Sequence, residues 1–214
     1  MIQSDLDLFG GQTQRLASHT VLLPGLVLER VESLLDVLRP VLRAAPFRHM
    51  STPGGQAIGV PVSNCGTLGW ISDARGYRYT EHDPLTGAPW PALPALLVEV
   101  AAQAALAAGF ENFLADTCLI NHYLPGTRLS LHQDRNERDF SQPIVSISLG
   151  LPAVFLLGGH ARNEATQRVP LNHGDVLVWG GDDRLRFHGV LPIKPGEHPR
   201  MGARRINLTL RKAR

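Results

Sequence analysis

The chain has 214 residues, 43% hydrophobic and 19% charged, with a formal net charge of +2, values that fit one globular domain over residues 1–214. The longest apolar stretch, around residues 95–110, is broken by Glu99 and Gln103, so no membrane span is expected, and two cysteines, Cys65 and Cys118, are too few for a disulfide framework. The first residues, Met1 to Asp7, are acidic and polar where a secretory signal needs a basic start and an apolar core, so a cytoplasmic protein is expected.

Two helices come first. Residues 29–43 carry Val31, Leu34, Leu35, Leu38, Val41 and Leu42 at helical spacing, and Pro40 is expected to kink or shorten the end. Residues 92–109 are rich in Ala and Leu, follow a proline cluster and stop at Gly109, which suits a C-terminal cap. The stretch between them, residues 47–91, mixes Gly, Pro, Asn and aromatics in TPGGQ, NCGTLGW, RGYRY and PLTGAPW. That pattern predicts short strands and turns in a loop-rich surface element.

From Thr117 onward the chain alternates short Val, Ile and Leu runs with turn residues: TCLINHY, RLSLHQD, PIVSISLGL, AVFLLGG, QRVPL, DVLVWGG, RLRFHGV and RINLTLR. Eight strand candidates in about a hundred residues predict a two-sheet jelly roll over residues 117–214. The fold class is therefore α+β, mainly β: a jelly roll backed by two helices, with residues 47–91 draped over one mouth.

Three residues suggest a metal centre. In an extended strand, His132 and Asp134 project the same way while Gln133 points elsewhere. His188 lies far enough along for the intervening strands to return beside them. Two imidazoles and one carboxylate leave open positions for a bidentate cosubstrate and O₂, the arrangement of non-haem Fe(II) oxygenases. A competing His-x-Asp, His173-Gly174-Asp175, sits where two strands must reverse, and Gly and Asp both serve a tight turn there. On their own, His132 and Asp134 read equally well as a hydrogen-bonded strand end, and His188 as a core histidine.

A dicarboxylate cosubstrate needs a cation at its far end, and Arg binds a carboxylate through two parallel hydrogen bonds. In ARRINLTLR, Arg205, Asn207, Thr209 and Arg211 share one face of a strand, opposite Ile206, Leu208 and Leu210. Either arginine alone also fits an exposed edge strand whose charges discourage aggregation. Asn121 and Tyr123, in CLINHY, offer an amide and a phenol toward the same cavity. The C-terminal stretch from His198 holds Arg200, Arg204, Arg205, Arg211, Lys212 and Arg214 and no acid. Such a cluster fits a polyanion or a solvated tail.

Taken together, NHYLPGTRLSLHQD, IVSISLGLPAVFLLGG, HGDVLVWGG and RINLTLR, with TPGG and NCGTLGW upstream, resemble the AlkB family of bacterial nucleic-acid dealkylation dioxygenases. The resemblance covers nearly the whole chain and implies a double-stranded β-helix. It implies Fe(II) held by His132, Asp134 and His188, and 2-oxoglutarate held by Asn121, Tyr123, Arg205, Asn207 and Arg211, with O₂ as the oxidant. It implies substrate contacts from Trp70, Tyr77, Tyr79, Asn136, Arg162 and His173, with Trp70 stacking on a base flipped out of the helix. The implied reaction removes methyl groups from bases such as 1-methyladenine and 3-methylcytosine, in single- or double-stranded DNA and with RNA as a further candidate, by a monomeric enzyme. Formaldehyde, succinate and CO₂ are the implied products.

The chain departs from the family pattern at Asn136, where an acid is usual, and at Val62, where Met is usual. A neutral amide lacks the attraction of an acid for a cationic base, so the lesion range turns on this residue. The same iron chemistry on a protein or small molecule, and a metal- or nucleic-acid-binding jelly roll without catalysis, are the alternative readings.

Overall fold

The structure, a computed structural model, describes residues 12–214. The polar N-terminus invoked against a secretory signal, Met1 to Asp7, lies outside the described residues. In chain order the elements are β1 (Gln14–Ala17), β2 (Thr20–Leu23), α1 (Val31–Ala44), β3 (Val62–Gly66), β4 (Gly69–Asp73), β5 (Gly76–Thr80) and α2 (Ala95–Ala107). Then follow β6 (Thr117–Tyr123), β7 (Leu129–His132), β8 (Ile144–Gly150), β9 (Ala153–Leu157), β10 (Gln167–Leu171), β11 (Val176–Trp179), β12 (His188–Val190) and β13 (Arg205–Arg211).

All eight expected strands from Thr117 onward form, and they make two sheets. The larger has the order β1-β2-β11-β8-β13-β6-β3 and the smaller β10-β9-β12-β7, while β4 and β5 pair as a separate hairpin. Every pairing is antiparallel. This is the mainly β jelly roll the strand spacing predicts.

Apart from its edge strand β1, the large sheet is largely buried on both faces, and the period of two along its strands sorts the side chains. Val145, Ile147 and Leu149 of β8, Ile206, Leu208 and Leu210 of β13, and Cys118 and Ile120 of β6 pack against Leu34, Leu38, Val41, Leu97, Ala101 and Ala104 of the two helices. Between the sheets, Leu22, Ile144, Leu177 and Trp179 meet Phe155, Leu157, Val169 and Leu171. Ala-rich α2 brings its backbone close to the sheet because its contacting side chains are small. Gly109, with φ of 93°, follows its C-cap as the sequence suggests.

Four differences from the sequence reading have physical causes. Helix α1 runs through Pro40 to Ala44, because tertiary burial of Leu38 and Val41 outweighs the one hydrogen bond the proline removes. The 47–91 segment is only partly a surface element. Its β3 is wholly buried and pairs with β6 at the edge of the large sheet, from Val62 opposite Asn121 to Gly66 opposite Thr117. The hairpin β1–β2 was not anticipated, and it docks through β2 onto β11. Strand β7 ends at His132, so Asp134 lies beyond the strand rather than on it.

The hairpin is fastened by Asp183, which is 1% exposed. Its carboxylate accepts hydrogen bonds from the His19 backbone N–H (2.6 Å), the Thr20 hydroxyl (2.9 Å) and Arg186 Nε (2.6 Å). Burial pushes its pKa up, but the Arg186 pair and these donors outweigh that and hold it below the ordinary carboxylate value. A depressed folded pKa contributes stability above the unfolded value, about 3.9, and the contribution is lost as pH falls through the folded value. We predict that Asp183→Ala lowers unfolding free energy at pH 7 by about 2–4 kcal/mol. In urea titrations the gap from wild type should narrow only below about pH 4; an equal gap at all pH values would contradict it.

Candidate active site

The two histidines meet because of strand register. β12 pairs with β7 so that His188 stands directly opposite His132, bringing residues distant in sequence to neighbouring positions on one sheet. The ring centroids are 4.4 Å apart. Past the end of β7, the chain is held by Gln133 Nε2, which donates to the Leu185 carbonyl (2.5 Å), and by Arg184 Nη1, which donates to the Asp134 carbonyl (2.8 Å). Asp134 is thereby turned back to the histidines: its Oδ1 is 3.7 Å from His132 Nε2 and its Oδ2 is 3.7 Å from His188 Nε2. One ligand atom from each of the three lies within 4.8 Å of the others.

The donor set suits a divalent first-row metal. His132 Nδ1 donates to the Ser130 carbonyl (2.8 Å) and His188 Nδ1 to the Arg186 carbonyl (3.0 Å), which leaves the Nε2 lone pairs facing Asp134. Burial and the neighbouring His188 push the His132 pKa down to about 4, so the ring is neutral and able to coordinate at physiological pH. Asp134 is partly buried, and its desolvation alone would raise its pKa, yet Arg211 and the two imidazoles hold it well below the usual range. Phe155 stacks on His188 at 5.6 Å and Trp179 meets it edge-on at 5.2 Å, fixing the ring in an apolar wall.

The triad lines a cavity of about 660 Å³ between the two sheets. The opposite wall comes from β6 and β13, where Asn121 pairs with Asn207 and Tyr123 with Arg205, so all five expected cosubstrate residues face the cavity. β13 lies between β8 and β6, which removes the edge-strand reading of its arginines. Leu119 shares the face of Asn121 and Tyr123.

Arg205 is 1% exposed. Its Nη2 donates to Ser148 Oγ (2.8 Å) and its Nη1 to the Leu151 carbonyl (3.3 Å), its Nε has no partner, and no carboxylate of the described residues pairs with it. Burial pushes its pKa down to about 10, still cationic at neutral pH. A buried cation bonded only to neutral acceptors is costly unless an anion joins it. Arg211 is differently placed: its Nε (3.1 Å) and Nη2 (2.5 Å) donate to Asp134 Oδ2, and its Nη1 is buried without a partner. Asn207 is held by Ser146 Oγ (2.8 Å), the Ile147 carbonyl (3.1 Å) and Thr209 Oγ1 (3.0 Å). Burial pushes the Tyr123 phenol up to about 12, keeping it a proton donor. These free donors fit a dianionic ligand lying between Arg205 and the triad.

At the mouth, Trp70 and Tyr77 stack at 5.9 Å and line the cavity with Asn136 and Arg162. Arg162 Nη1 donates to the Leu131 carbonyl (2.5 Å) and its guanidinium lies 5.0 Å over Phe187. Two expected substrate contacts, Tyr79 and His173, are not part of the cavity lining. The Tyr79 hydroxyl donates to Glu137 Oε1 (2.5 Å) beneath the hairpin, and burial drives its pKa well up. His173 is absent from the lining; its Nδ1 accepts from the Gly150 N–H (2.8 Å) and its ring packs on His198. Its turn has the expected form, with Gly174 at φ of 87° and Asp175 Oδ2 accepting from the Asn172 N–H (2.7 Å).

Sequence reasoning missed the buried pair Glu137–Arg184 (3.1 Å), which supports both Asp134 and Arg211, and Asn64, which holds Trp70. Their types were visible in RNER, DDR and NCG, but nothing local marks them as buried. We predict that Asp134→Ala abolishes tight Fe(II) binding in anaerobic titrations while far-ultraviolet circular dichroism is unchanged. Retained stoichiometric binding would remove Asp134 from the ligand set.

The family profile described as the 2OG-Fe(II) oxygenase superfamily matches residues 19–211. The chain is 50% identical over 211 residues to the alpha-ketoglutarate-dependent dioxygenase AlkB of Salmonella typhimurium, spanning 97% of this chain and 98% of that protein. It is 47% identical to the protein of that name from Escherichia coli, with the same coverage of 97% and 98%. A solved structure described as "The structure of OsALKBH1" superposes with a TM-score of 0.80 at 28% identity, covering 94% of this chain and 100% of that one. Similarity of this extent makes the chain a member of the AlkB family within the 2OG-Fe(II) oxygenase superfamily, whose cofactors are Fe(II), 2-oxoglutarate and O₂.

Proposed function

We propose that this protein oxidatively dealkylates nucleic acids, removing N-linked methyl groups from bases such as 1-methyladenine and 3-methylcytosine in DNA, with RNA as a further substrate. The observation that carries this reading is a single cavity joining the His132–Asp134–His188 triad, a cationic wall on β13 and the aromatic pair Trp70 and Tyr77 at its mouth. The two relatives named above support the chemistry, and the name of a mouse relative, Nucleic acid dioxygenase ALKBH1, 35% identical over 140 residues, supports the substrate class.

In this account His132 and His188 would hold the iron through their Nε2 atoms and Asp134 through a carboxylate oxygen. Arg205 receives the distal carboxylate of 2-oxoglutarate, completing the pairing its buried guanidinium lacks, while Tyr123 and Asn121 donate to the same ligand from the adjacent strand. Arg211 orients Asp134 through two N–H groups and turns its free Nη1 to the ligand's other end, with Asn207 beside it. Bound there, the metal and cosubstrate supply the oxidation: 2-oxoglutarate and O₂ give succinate and CO₂ while the N-methyl carbon is hydroxylated. The C–N bond to the hydroxymethyl group would then break, its electron pair returning to the base nitrogen while the hydroxyl proton is lost and formaldehyde leaves. Trp70 and Tyr77 stack on the extruded base, and Arg162 contacts the backbone at the rim. Phe155, Leu171, Trp179 and Val190 keep water from the reacting carbon.

We take the protein to act as a monomer in the cytoplasm on single- or double-stranded substrate. Its two cysteines are free and buried, which suits a reducing compartment, and no described helix is long and apolar enough to cross a membrane. Mass spectrometry of oligonucleotides carrying 1-methyladenine or 3-methylcytosine, incubated with Fe(II), 2-oxoglutarate and O₂, tests the reading. Loss of the methyl group with one formaldehyde and one succinate per event is expected. Succinate formation indifferent to the modified base would favour a protein or small-molecule substrate instead. Arg205→Lys should raise the KM for 2-oxoglutarate by about tenfold or more, because the bidentate pair is lost; an unchanged KM contradicts the assignment of Arg205.

A further inference from the structure

The turn between β10 and β11 braces the cosubstrate wall. Both hydrogen-bond partners of Arg205, Ser148 Oγ and the Leu151 carbonyl, lie on or just past the end of β8. That end is fastened to the turn by three bonds. The Gly174 N–H donates to the Ser148 carbonyl (2.8 Å), the Ser148 N–H to the Asp175 carbonyl (2.9 Å), and the Gly150 N–H to His173 Nδ1 (2.8 Å). Gly150 stands opposite Arg205 in the β8–β13 pairing, and the Leu151 N–H donates to the Arg204 carbonyl (2.9 Å). Two of the three fastenings are backbone pairs that any residue could make; the third depends on the side chain at position 173.

A backbone N–H can only donate, so His173 Nδ1 must offer a lone pair and the neutral ring keeps its proton on Nε2. The same holds for His198, whose Nδ1 accepts from the Arg200 N–H (3.2 Å). The two rings pack with centroids 4.1 Å apart and an interplanar angle of 38°. A proton added to His173 Nδ1 turns an acceptor into a donor against Gly150 and sets a cation on a neighbouring imidazole. Burial, reinforced by His198, holds the His173 pKa below its usual value, while Asp175 draws it up. Asp175, 4% exposed, is engaged by the N–H groups of Gly25 (2.8 Å) and Asn172 (2.7 Å), and it also favours the charged form of Arg205. In the loop before β13, Arg200 is paired with Glu32 and Arg204 acts on His122. Residues 148–150 of β8, and Leu28 where it packs on Gly174, carry no charge.

We propose that His173 is a positioning residue for the cosubstrate pocket: its neutral ring holds the end of β8 to the turn and so fixes both acceptors of Arg205. Protonation releases that end, and the pocket loses affinity for 2-oxoglutarate in mildly acidic solution. By linkage, a histidine freed from the clamp titrates near about 6.5, above the clamped ring, so lowering the pH below that value favours the released form. For a single proton the effect between about pH 7.5 and 5.5 is at most about tenfold. The His-x-Asp at 173–175, which ligates no metal in this reading, serves the cosubstrate from outside the cavity. This role rests on the assignment of Arg205 as the anchor of 2-oxoglutarate and adds its pH dependence.

Anaerobic titration of 2-oxoglutarate into the Fe(II)-loaded protein at about pH 7.5 and 5.5 tests this with wild type and His173→Asn. The Asn amide oxygen accepts from the Gly150 N–H much as Nδ1 does and takes up no proton in this range. The ratio of Kd at the lower pH to Kd at the higher should be about threefold or more larger in wild type than in the variant. Protonation of the metal ligands is common to both proteins and cancels. Without metal, exchange of the Gly150 amide, corrected for its intrinsic pH dependence, should be accelerated by acid in wild type, a result that needs no variant, and unaffected in His173→Asn. Equal Kd ratios in the two proteins overturn the proposal, as does Gly150 exchange in wild type that acid leaves unchanged. Arg205→Lys separates the two readings: a raised Kd in that variant beside equal ratios overturns the role of His173 alone, while an unchanged Kd overturns the cosubstrate assignment as well.

Discussion

A guanidinium group buried between two β-sheets has no solvent to share its charge, so what surrounds it must. Arg205 and Arg211, both on the cavity face of β13, divide that problem in two ways. Arg211 is answered within the protein by Asp134 and, at 3.4 Å, by Glu137. Among the described residues Arg205 has as hydrogen-bond partners Ser148 Oγ and the Leu151 carbonyl. On the function proposed above, one cation is balanced and pins a metal ligand, while the other is left to be balanced by the anionic cosubstrate.

The rest of the fold can be understood as support for that arrangement. Helices α1 and α2 cover the outer face of the large sheet, so β6, β8 and β13 can devote their inner faces to Asn121, Tyr123, Ser146, Ser148 and the β13 polar row without losing the core. The small sheet brings His132 and His188 together by register, and Phe155 and Trp179 wall in the second ring. Asp183 ties the N-terminal hairpin to Arg186, whose carbonyl orients His188, so the first strands described are linked to the triad by three hydrogen bonds in series.

Much of this was legible in the sequence because it rests on local period. Alternation along RINLTLR and TCLINHY sorts cavity from core without knowing the neighbours, and the Gly174 turn excludes the second His-x-Asp. What escaped was set by distant partners. β1 and β2 are four residues each and acquire their meaning from β11. β3 looked like surface because NCG is polar and small, yet it closes the edge of the large sheet. Asp134 reached the site by a turn beyond the strand, held by Arg184 and Gln133, rather than by the strand geometry that first suggested it. His173 belonged to the turn it marks, and Tyr79 to the buried Glu137 beneath the hairpin.

The claim at the centre of this account is that Arg205 awaits the far carboxylate of the cosubstrate. A ligand that binds only the folded state raises its stability in proportion to the logarithm of its concentration over Kd. Thermal unfolding of the Fe(II)-loaded protein without O₂ can therefore compare 2-oxoglutarate with 2-oxopentanoate, which keeps the metal-binding end and lacks the distal carboxylate. The account predicts a clear rise in Tm with the first and little or none with the second at equal concentration. Equal shifts with both would contradict it.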